Sequence, residues 1–178
     1  KYRHELKYYI NYIDYEILRK RLSILLKRDD YVGEKNEYHV RSLYFEDAVN
    51  TALFEKQSGI LERKKYRIRV YNLNNNIIKL EKKSRNGQFV NKESSLLTYE
   101  QYLMIINKNF SFLIDSNNCL FHEFYYDIIT SNYKPNVLVD YVREPFIYGV
   151  NNIRITFDKE LKTGLNSTDL FSKDIILI

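Results

Sequence analysis

The sequence contains little that would support a disulfide-stabilised, disordered or membrane-spanning protein. Its single cysteine, Cys119, cannot form an internal disulfide, and because it lies in an apolar stretch we expect a reduced compartment and a buried, inert thiol. Glycine (5 residues) and proline (2 residues) are scarce, and 44% of the residues are hydrophobic, which is typical of a folded domain. No apolar run reaches the roughly 18 residues that a transmembrane helix needs, and no signal-peptide pattern opens the chain. The sequence therefore predicts a cytoplasmic protein without a membrane segment.

The length of the chain and its net charge indicate the number of domains and the kind of partner. The 178 residues suit one domain with a sizeable core. The final run, Asp174-Ile-Ile-Leu-Ile178, has strand character and no turn after it, so we expect one domain over residues 1–178 that is truncated at its C-terminal strand. A net charge of +5 and an isoelectric point near 9.1 favour an anionic partner without saying which one. The oligomeric state is left open.

Short alternating segments rich in tyrosine, isoleucine and valine dominate the pattern and predict an antiparallel sheet. The predicted strands lie near 2–10, 38–45, 63–71, 76–83, 137–143 and 153–158. The turn Arg85-Asn-Gly-Gln88 carries the Asn-Gly pair that is favoured in tight hairpins, which indicates antiparallel pairing.

Helices are predicted between the strands, over about 14–27, 98–108 and 120–131, with a helical turn at 47–56. Asp14 is expected to cap the first helix, and Thr98 with Gln101 forms a capping box for the second. One apolar stripe of the first helix is expected to face the core: Ile17, Leu18, Leu22, Leu25 and Leu26. The predicted fold class is α+β, an antiparallel β-barrel with flanking helices.

Basic residues recur at every second position on several predicted strands. Because residues two apart in a strand share a face, Lys65, Arg67 and Arg69 line one face of their strand, and the other face is apolar. The same alternation puts further bases on one face of neighbouring segments: Lys7, Lys79, Lys83 and Arg154. Carboxylates fall in register with them at Glu5, Glu81 and Asp158.

A single charged face of an antiparallel sheet ordinarily points to water. Several such faces together, each backed by an apolar face, instead predict helices on the outside and a charged interior. Rows of like charge in an interior repel one another, so they need an anion and interleaved carboxylates. A triphosphate suits this arrangement, because its oxygens accept bidentate guanidinium contacts and ammonium charges from several directions. Nucleic acid is not expected, because it binds open basic faces that seldom carry acids in register.

Carboxylates beside phosphates usually hold a divalent metal, Mg²⁺ or Mn²⁺, through oxygen ligands. Glu5 and Glu81 are the candidates for such ligands, and each could equally be the salt-bridge partner of a neighbouring base. The histidines are too dispersed along the chain to predict a metal cluster: His4, His39 and His122.

Six strings in this order resemble the VTC domain, the polyphosphate polymerase domain of the triphosphate tunnel metalloenzyme superfamily. They are Arg3-His-Glu-Leu-Lys-Tyr8, Val40-Arg-Ser-Leu-Tyr-Phe45, Lys65-Tyr-Arg-Ile-Arg-Val-Tyr71, Glu81-Lys-Lys83, Asp140-Tyr-Val-Arg-Glu-Pro-Phe146 and Arg154-Ile-Thr-Phe-Asp158. Arg3 stands where related tunnel enzymes have the first Glu of a metal-binding Glu-x-Glu-x-Lys pattern, which suits the VTC branch better than the triphosphatase branch. The metal-binding Glu of the family would lie on a later strand, past Ile178.

The resemblance implies a tunnel in which ATP and a growing polyphosphate chain are partners, the γ-phosphate moves onto the chain, and Mn²⁺ or Mg²⁺ assists. Carried over by position, the catalytic and phosphate-contacting bases are Lys7, Arg67, Arg69, Lys83, Arg143 and Arg154, with Lys92 as a weaker match. Lys65 and Lys79 join the phosphate-binding set through the faces that they share. Two alternatives stay open: a metal-dependent triphosphate hydrolase on the same fold, and a non-catalytic module that binds polyphosphate or inositol phosphates.

Overall fold

The computed structural model describes residues 5–29, 32–33, 35–87, 89–150, 153–165 and 168–172, and at 52, 53, 56 and 165 it describes the backbone alone. Arg3 and the apolar run 174–178 lie outside the described residues. The elements in chain order are α1 Tyr12–Leu25, β1 Lys27–Arg28, β2 Tyr38–Glu46, α2 Thr51–Gln57, β3 Arg63–Tyr71, β4 Asn74–Asn86, β5 Phe89–Leu97, α3 Tyr99–Ile106, α4 Ser111–Asp115, α5 Cys119–Ser131, β6 Lys134–Tyr148 and β7 Ile153–Leu165.

The seven described strands form one antiparallel sheet in the order β1-β6-β2-β3-β4-β5, with β7 also paired to β6. The sheet is strongly curled and, in the described part of the chain, makes a half-barrel. Long, two-faced strands favour this shape, because strand twist accumulates across the sheet and bends it. The prediction of an α+β fold with an antiparallel, barrel-like sheet is confirmed.

The hydrophobic core lies between one face of the sheet and the helices α3, α4 and α5. Tyr66, Ile68 and Val70 of β3 are fully buried on this face. They pack in one cluster with side chains of the helices, among them Tyr102, Ile105, Leu113, Phe121 and Phe124. Helices therefore cover the apolar face of the sheet, as the alternation of β3 predicts, and Lys65, Arg67 and Arg69 point to the other face.

Three strand predictions differ from the structure. Residues 5–10 form no strand, because a strand needs a hydrogen-bonded neighbour and this segment pairs with none of the described strands. β5 (Phe89–Leu97) was not among the predicted strands, since its polar residues mask the alternation, although the Asn-Gly turn before it marks the hairpin. β7 continues to Leu165, seven residues past the predicted end at 158.

The first helix, α1, differs from the prediction in its N-cap and in the side that it turns to the sheet. Its N-cap is Asn11, whose side chain accepts from the Asp14 backbone N–H at 2.8 Å, so Asp14 is not the cap. The stripe expected to face the core is largely exposed, with Leu25 at 73%. Tyr15 is instead the buried residue of this helix, because a hydrogen bond to a buried carboxylate of β6 turns that side of α1 to the sheet.

The second predicted helix is confirmed as α3, and both hydrogen bonds of its capping box are present, between Thr98 and Gln101. The prediction that the thiol is buried is wrong, because Cys119 is exposed. It is the first residue of α5, and that helix turns Leu120, Phe121 and Phe124 to the core instead. No helix among the described residues is long and apolar enough to cross a membrane.

Candidate anion-binding site

Glu81 of β4 is the centre of a cluster of bases on the inner face of the sheet. Its Oε2 accepts from Arg67 Nε at 2.6 Å, its Oε1 accepts from Lys92 Nζ at 2.6 Å, and Arg69 Nη1 lies 3.6 Å from Oε2. Arg67 is its cross-strand partner on β3, and Lys92 lies on β5 beyond it. The carboxylate is 3% exposed, so neighbouring strands of the curled sheet bury it.

The same face carries hydroxyl groups that hold the arginines in place. Arg67 Nη1 donates to Tyr44 Oη at 2.8 Å. Arg69 Nε donates to Ser42 Oγ and Arg69 Nη2 to Tyr141 Oη, each at 3.2 Å. These contacts fix the two guanidinium groups. The hydrogen-bond acceptors of Arg69 are neutral, so only the longer 3.6 Å contact with Glu81 offsets its charge.

Charge in this cluster is unbalanced. Three bases surround one carboxylate, which gives the group a formal charge of +2. Burial alone would raise the pKa of Glu81, but the charges of Arg67, Arg69 and Lys92 lower it to about 2. Burial lowers the pKa of Lys92, and the two arginines add to that effect against the pull of Glu81. The surplus positive charge is a physical reason for this face to take up anions.

Arg143 of β6 extends the basic face towards β7. It makes a bidentate pair with Asp158, with Nε and Nη2 donating at 2.6 and 2.7 Å. Its guanidinium carbon lies 5.1 Å from the centre of the Tyr141 ring, and the hydroxyl of that ring contacts Arg69. Tyr141 therefore connects the Arg143 pair with the cluster around Glu81.

The other predicted bases lie around this centre. Lys65 and Lys83 are cross-strand partners, and Lys83 is also the partner of Lys92 in the next row. Lys83 Nζ donates to Glu5 at 2.6 Å, while Lys7 is 79% exposed and lies 3.5 Å from the same carboxylate. Lys79 lies opposite Arg69 in the β3–β4 register, with its Nζ 5.6 Å from the centre of the Tyr71 ring. Arg154 pairs with Asp29 at 2.8 Å.

Sequence reasoning did not identify Ser42, Tyr44 and Tyr141 as members of this site. They are neutral, so the charge alternation that identifies the bases gives no signal for them. The strand register does identify two of them, because Ser42 lies opposite Arg69 and Tyr44 lies opposite Arg67 in the β2–β3 pairing.

The carboxylates of the site do not fit a divalent metal in this arrangement. Both oxygens of Glu81 accept from bases, and Glu5 is held between Lys83 and Lys7. Mg²⁺ and Mn²⁺ take several oxygen ligands with free lone pairs, and neighbouring ammonium and guanidinium charges repel them. Within the described ranges, no group of three or more His, Cys, Asp or Glu side chains converges on one point.

A curled antiparallel sheet that concentrates arginines and lysines on the face opposite α3, α4 and α5 is a tunnel-like α+β fold with a basic inner face. The chain matches the model of the VTC domain over residues 2–174, and it belongs to that family, within the triphosphate tunnel superfamily. The triphosphate tunnel family is generally metal-dependent, and its members are often phosphotransferases.

Among solved structures, one that matches is the crystal structure of a proposed adenylate cyclase from Bacillus halodurans. The two chains are 16% identical, the match covers 82% of this chain and 75% of the other, and the TM-score is 0.48. No curated protein matches the chain.

Proposed function

We propose that this domain is an ATP-dependent polyphosphate polymerase that holds a phosphate chain on its inner face. The observation that supports the proposal is the cluster of Arg67, Arg69 and Lys92 around one buried carboxylate, next to Arg143. Such a surplus of fixed donors suits a linear polyanion, because successive phosphates can meet successive bases along the sheet.

Phosphoryl transfer asks the protein mainly for positioning and for neutralisation of charge that spreads over the transferred phosphate. In this proposal, Arg67, Arg69 and Arg143 bind terminal phosphate oxygens, together with Arg154 near the start of β7. Lys83 and Lys7 offset the charge that develops on the bridging oxygen. The acceptor phosphate is already an anion, so it needs no general base.

A non-catalytic binding module for polyphosphate is the second candidate. The observation in its favour is that Glu5 and Glu81 are both held by bases, which leaves the donors for phosphate in place but engages the two carboxylates that the sequence offers to a metal. A metal-dependent triphosphate hydrolase remains the third possibility on the same fold. The three candidates share a phosphate ligand and differ in its fate.

An assay of the products separates the candidates. We expect the protein, incubated with ATP and Mn²⁺ or Mg²⁺, to produce long phosphate chains that a polyacrylamide gel resolves. Free phosphate without polymer would indicate the hydrolase, and tripolyphosphate binding without turnover would indicate the binding module. Omission of the metal tests the dependence that the family resemblance implies.

A matched pair of variants ties the assay to the site. Arg69→Gln removes a fixed donor from the inner face and should reduce tripolyphosphate affinity about tenfold or more, since a contact to a charged group contributes about 1.5–3 kcal/mol. Lys162→Gln should leave the affinity unchanged, because Lys162 is exposed and pairs in register with Asp140, on the face that bears the helices. Equal affinities of both variants and the wild type, measured by calorimetry, would contradict the proposed site.

A further inference from the structure

Glu81 occupies the donors that a phosphate would use. Arg67 Nε and Lys92 Nζ each lie 2.6 Å from one of its two oxygens, and Arg69 Nη1 lies 3.6 Å away. Charge alternation places Arg67 and Arg69 on the inner face, and the family resemblance implies Lys92 as a further phosphate contact. We propose that Glu81 is a resident counter-ion whose competition with incoming phosphates sets the shortest phosphate chain that the site retains. This proposal rests on the proposed function, because it assumes phosphate ligands on the inner face.

The carboxylate cannot leave the competition by taking up a proton. The bases around it hold its pKa at about 2, so it remains an anion at neutral pH. A phosphate group that approaches Arg67 or Lys92 must therefore share their N–H donors with Glu81, or displace it. Either outcome costs free energy, because like charges approach each other in a buried setting where water screens them little.

That cost is the same for every ligand that enters the cluster, whereas the gain grows with chain length. Orthophosphate can gain only the contacts of the cluster itself. A longer chain also reaches bases outside it, such as Arg143 beside Tyr141 and Lys83 in the adjoining row. These two bases have carboxylate partners of their own, but Asp158 and Glu5 are 43% and 47% exposed, so water screens their competition more than that of the buried Glu81. The free energy that a long chain gains from these contacts therefore exceeds the cost of competing with Glu81, whereas the gain of a short chain does not. A residue that only oriented the bases would not produce such a length threshold.

The test is the binding of orthophosphate, pyrophosphate and tripolyphosphate to the wild type and to Glu81→Gln, measured by calorimetry at pH 7 without metal. We expect each ligand to bind the variant at least tenfold more tightly, so that the shortest ligand with measurable binding becomes shorter. Glu93→Gln is the matched control. Glu93 lies on the same β4–β5 hairpin, but it pairs with Lys82, on the side that packs against the helices, so its removal should change none of the three affinities.

Two results would overturn the role of Glu81. Weaker binding of all ligands by Glu81→Gln would make Glu81 a positioning residue that orients Arg67 and Lys92. Unchanged binding without metal, with a loss seen only when Mn²⁺ is added, would make it a metal ligand. Failure of phosphate binding on the inner face is a separate result, because the wild type itself would then bind none of the three phosphates, and the counter-ion role would fail with it. Failure of the polymerase activity alone would show in the product assay and leave the binding comparison intact.

A double variant keeps the test valid if Glu81→Gln does not fold. Glu81→Gln with Lys92→Gln removes one carboxylate and one base, so the formal charge of the cluster stays at +2 as in the wild type. Tighter orthophosphate binding by this variant than by the wild type would show that competition for donors, rather than net charge, limits affinity. Weaker binding would contradict the proposal.

Discussion

At the scale of single residues, the structure changes what the arginines of β3 are expected to do. Charge alternation alone treats Arg67 and Arg69 as a pair that repels itself when no ligand is bound, so that its loss would cost little stability. The structure places Glu81 between them and the lysine of β5, and three cross-strand contacts hold this carboxylate. Arg67 is therefore a structural partner of a buried charge as well as a candidate ligand for phosphate.

Arg67→Ala should lower the free energy of unfolding by about 1–3 kcal/mol, because the almost fully buried Glu81 loses its donor at 2.6 Å. Urea denaturation followed by circular dichroism measures the change. Lys79→Ala is the control, since Lys79 lies on the same face, forms no ion pair with a carboxylate of the described residues, and has its Nζ 5.6 Å from the centre of the Tyr71 ring. It should shift the midpoint far less. Equal midpoints for Arg67→Ala and wild type would show that Glu81 draws no stability from this pair.

At the scale of elements, α1 is attached to the sheet by polar contacts rather than by its apolar stripe. Glu144 of β6 is 1% exposed and accepts from Tyr15 Oη at 2.8 Å, Arg19 Nε at 2.9 Å and Arg28 Nη1 at 2.6 Å. The guanidinium of Arg28 also lies 3.9 Å from the centre of the Phe146 ring. One carboxylate thus joins α1, β1 and β6, and a helical apolar pattern gives no signal of such a contact.

Glu144→Gln should loosen α1 while the sheet stays folded. Replacement of the buried carboxylate by a neutral amide leaves Arg19 and Arg28 without their shared counter-ion, and a hydrogen bond to a charged group contributes about 1.5–3 kcal/mol. We expect faster amide hydrogen exchange in residues 12–25 and little change in β3 and β4. The control is Glu123→Gln on α5, whose carboxylate is half exposed. Uniform exchange changes across the whole sheet would mean that Glu144 supports the global fold instead.

The sequence predicts those strands that have one charged and one apolar face, and it fails for strands that lack this contrast or a pairing partner. β3 and β4 follow from alternation, because one face packs under helices and the other carries bases. β5 does not, since Asn91, Glu93 and Ser95 put polar groups on the face that an alternating strand would make apolar. The strand prediction for residues 5–10 is wrong for the opposite reason. These residues alternate, but a strand also requires a hydrogen-bonded neighbour, and the sequence pattern does not show whether one is present.

At the scale of the whole molecule, buried carboxylates on both faces of the sheet are held by arginines. Glu81 serves the inner face. On the face that bears the helices, Arg41 forms a bidentate pair with Asp140 at 2.7 and 2.8 Å and also donates to the backbone carbonyls of Leu170 and Ser172. Through these two hydrogen bonds, Arg41 attaches residues 168–172 to the sheet. The sequence offers a neighbouring base as one possible partner of Glu81, but it gives no signal for the Arg41–Asp140 pair, because a pairing across 99 positions depends on the β2–β6 register.

These two carboxylates give the domain a defined acid limit. Burial alone would raise both pKa values, but their partners lower the pKa of Glu81 from 4.5 to about 2 and that of Asp140 from 3.8 to about 2. The unfolded chain therefore binds more protons than the folded one between about pH 4.5 and 2. Their contribution is complete above pH 4.5 and is lost as the pH falls towards 2, so the urea midpoint should decline over that window.

Variants assign this decline to its sources. Glu81→Gln should flatten the dependence of the urea midpoint on pH below 4.5, because one of the two carboxylates whose pKa is lowered to about 2 is gone. Asp140 and the other carboxylates with a lowered pKa, among them Glu144, preserve part of the dependence. Glu93→Gln should leave the profile of the wild type intact, since the carboxylate of Glu93 is 38% exposed and lies outside both buried pairs. A midpoint that stays level from pH 5 to 2 in the wild type would refute the assignment, because it would require both carboxylates to titrate alike in the folded and unfolded chains.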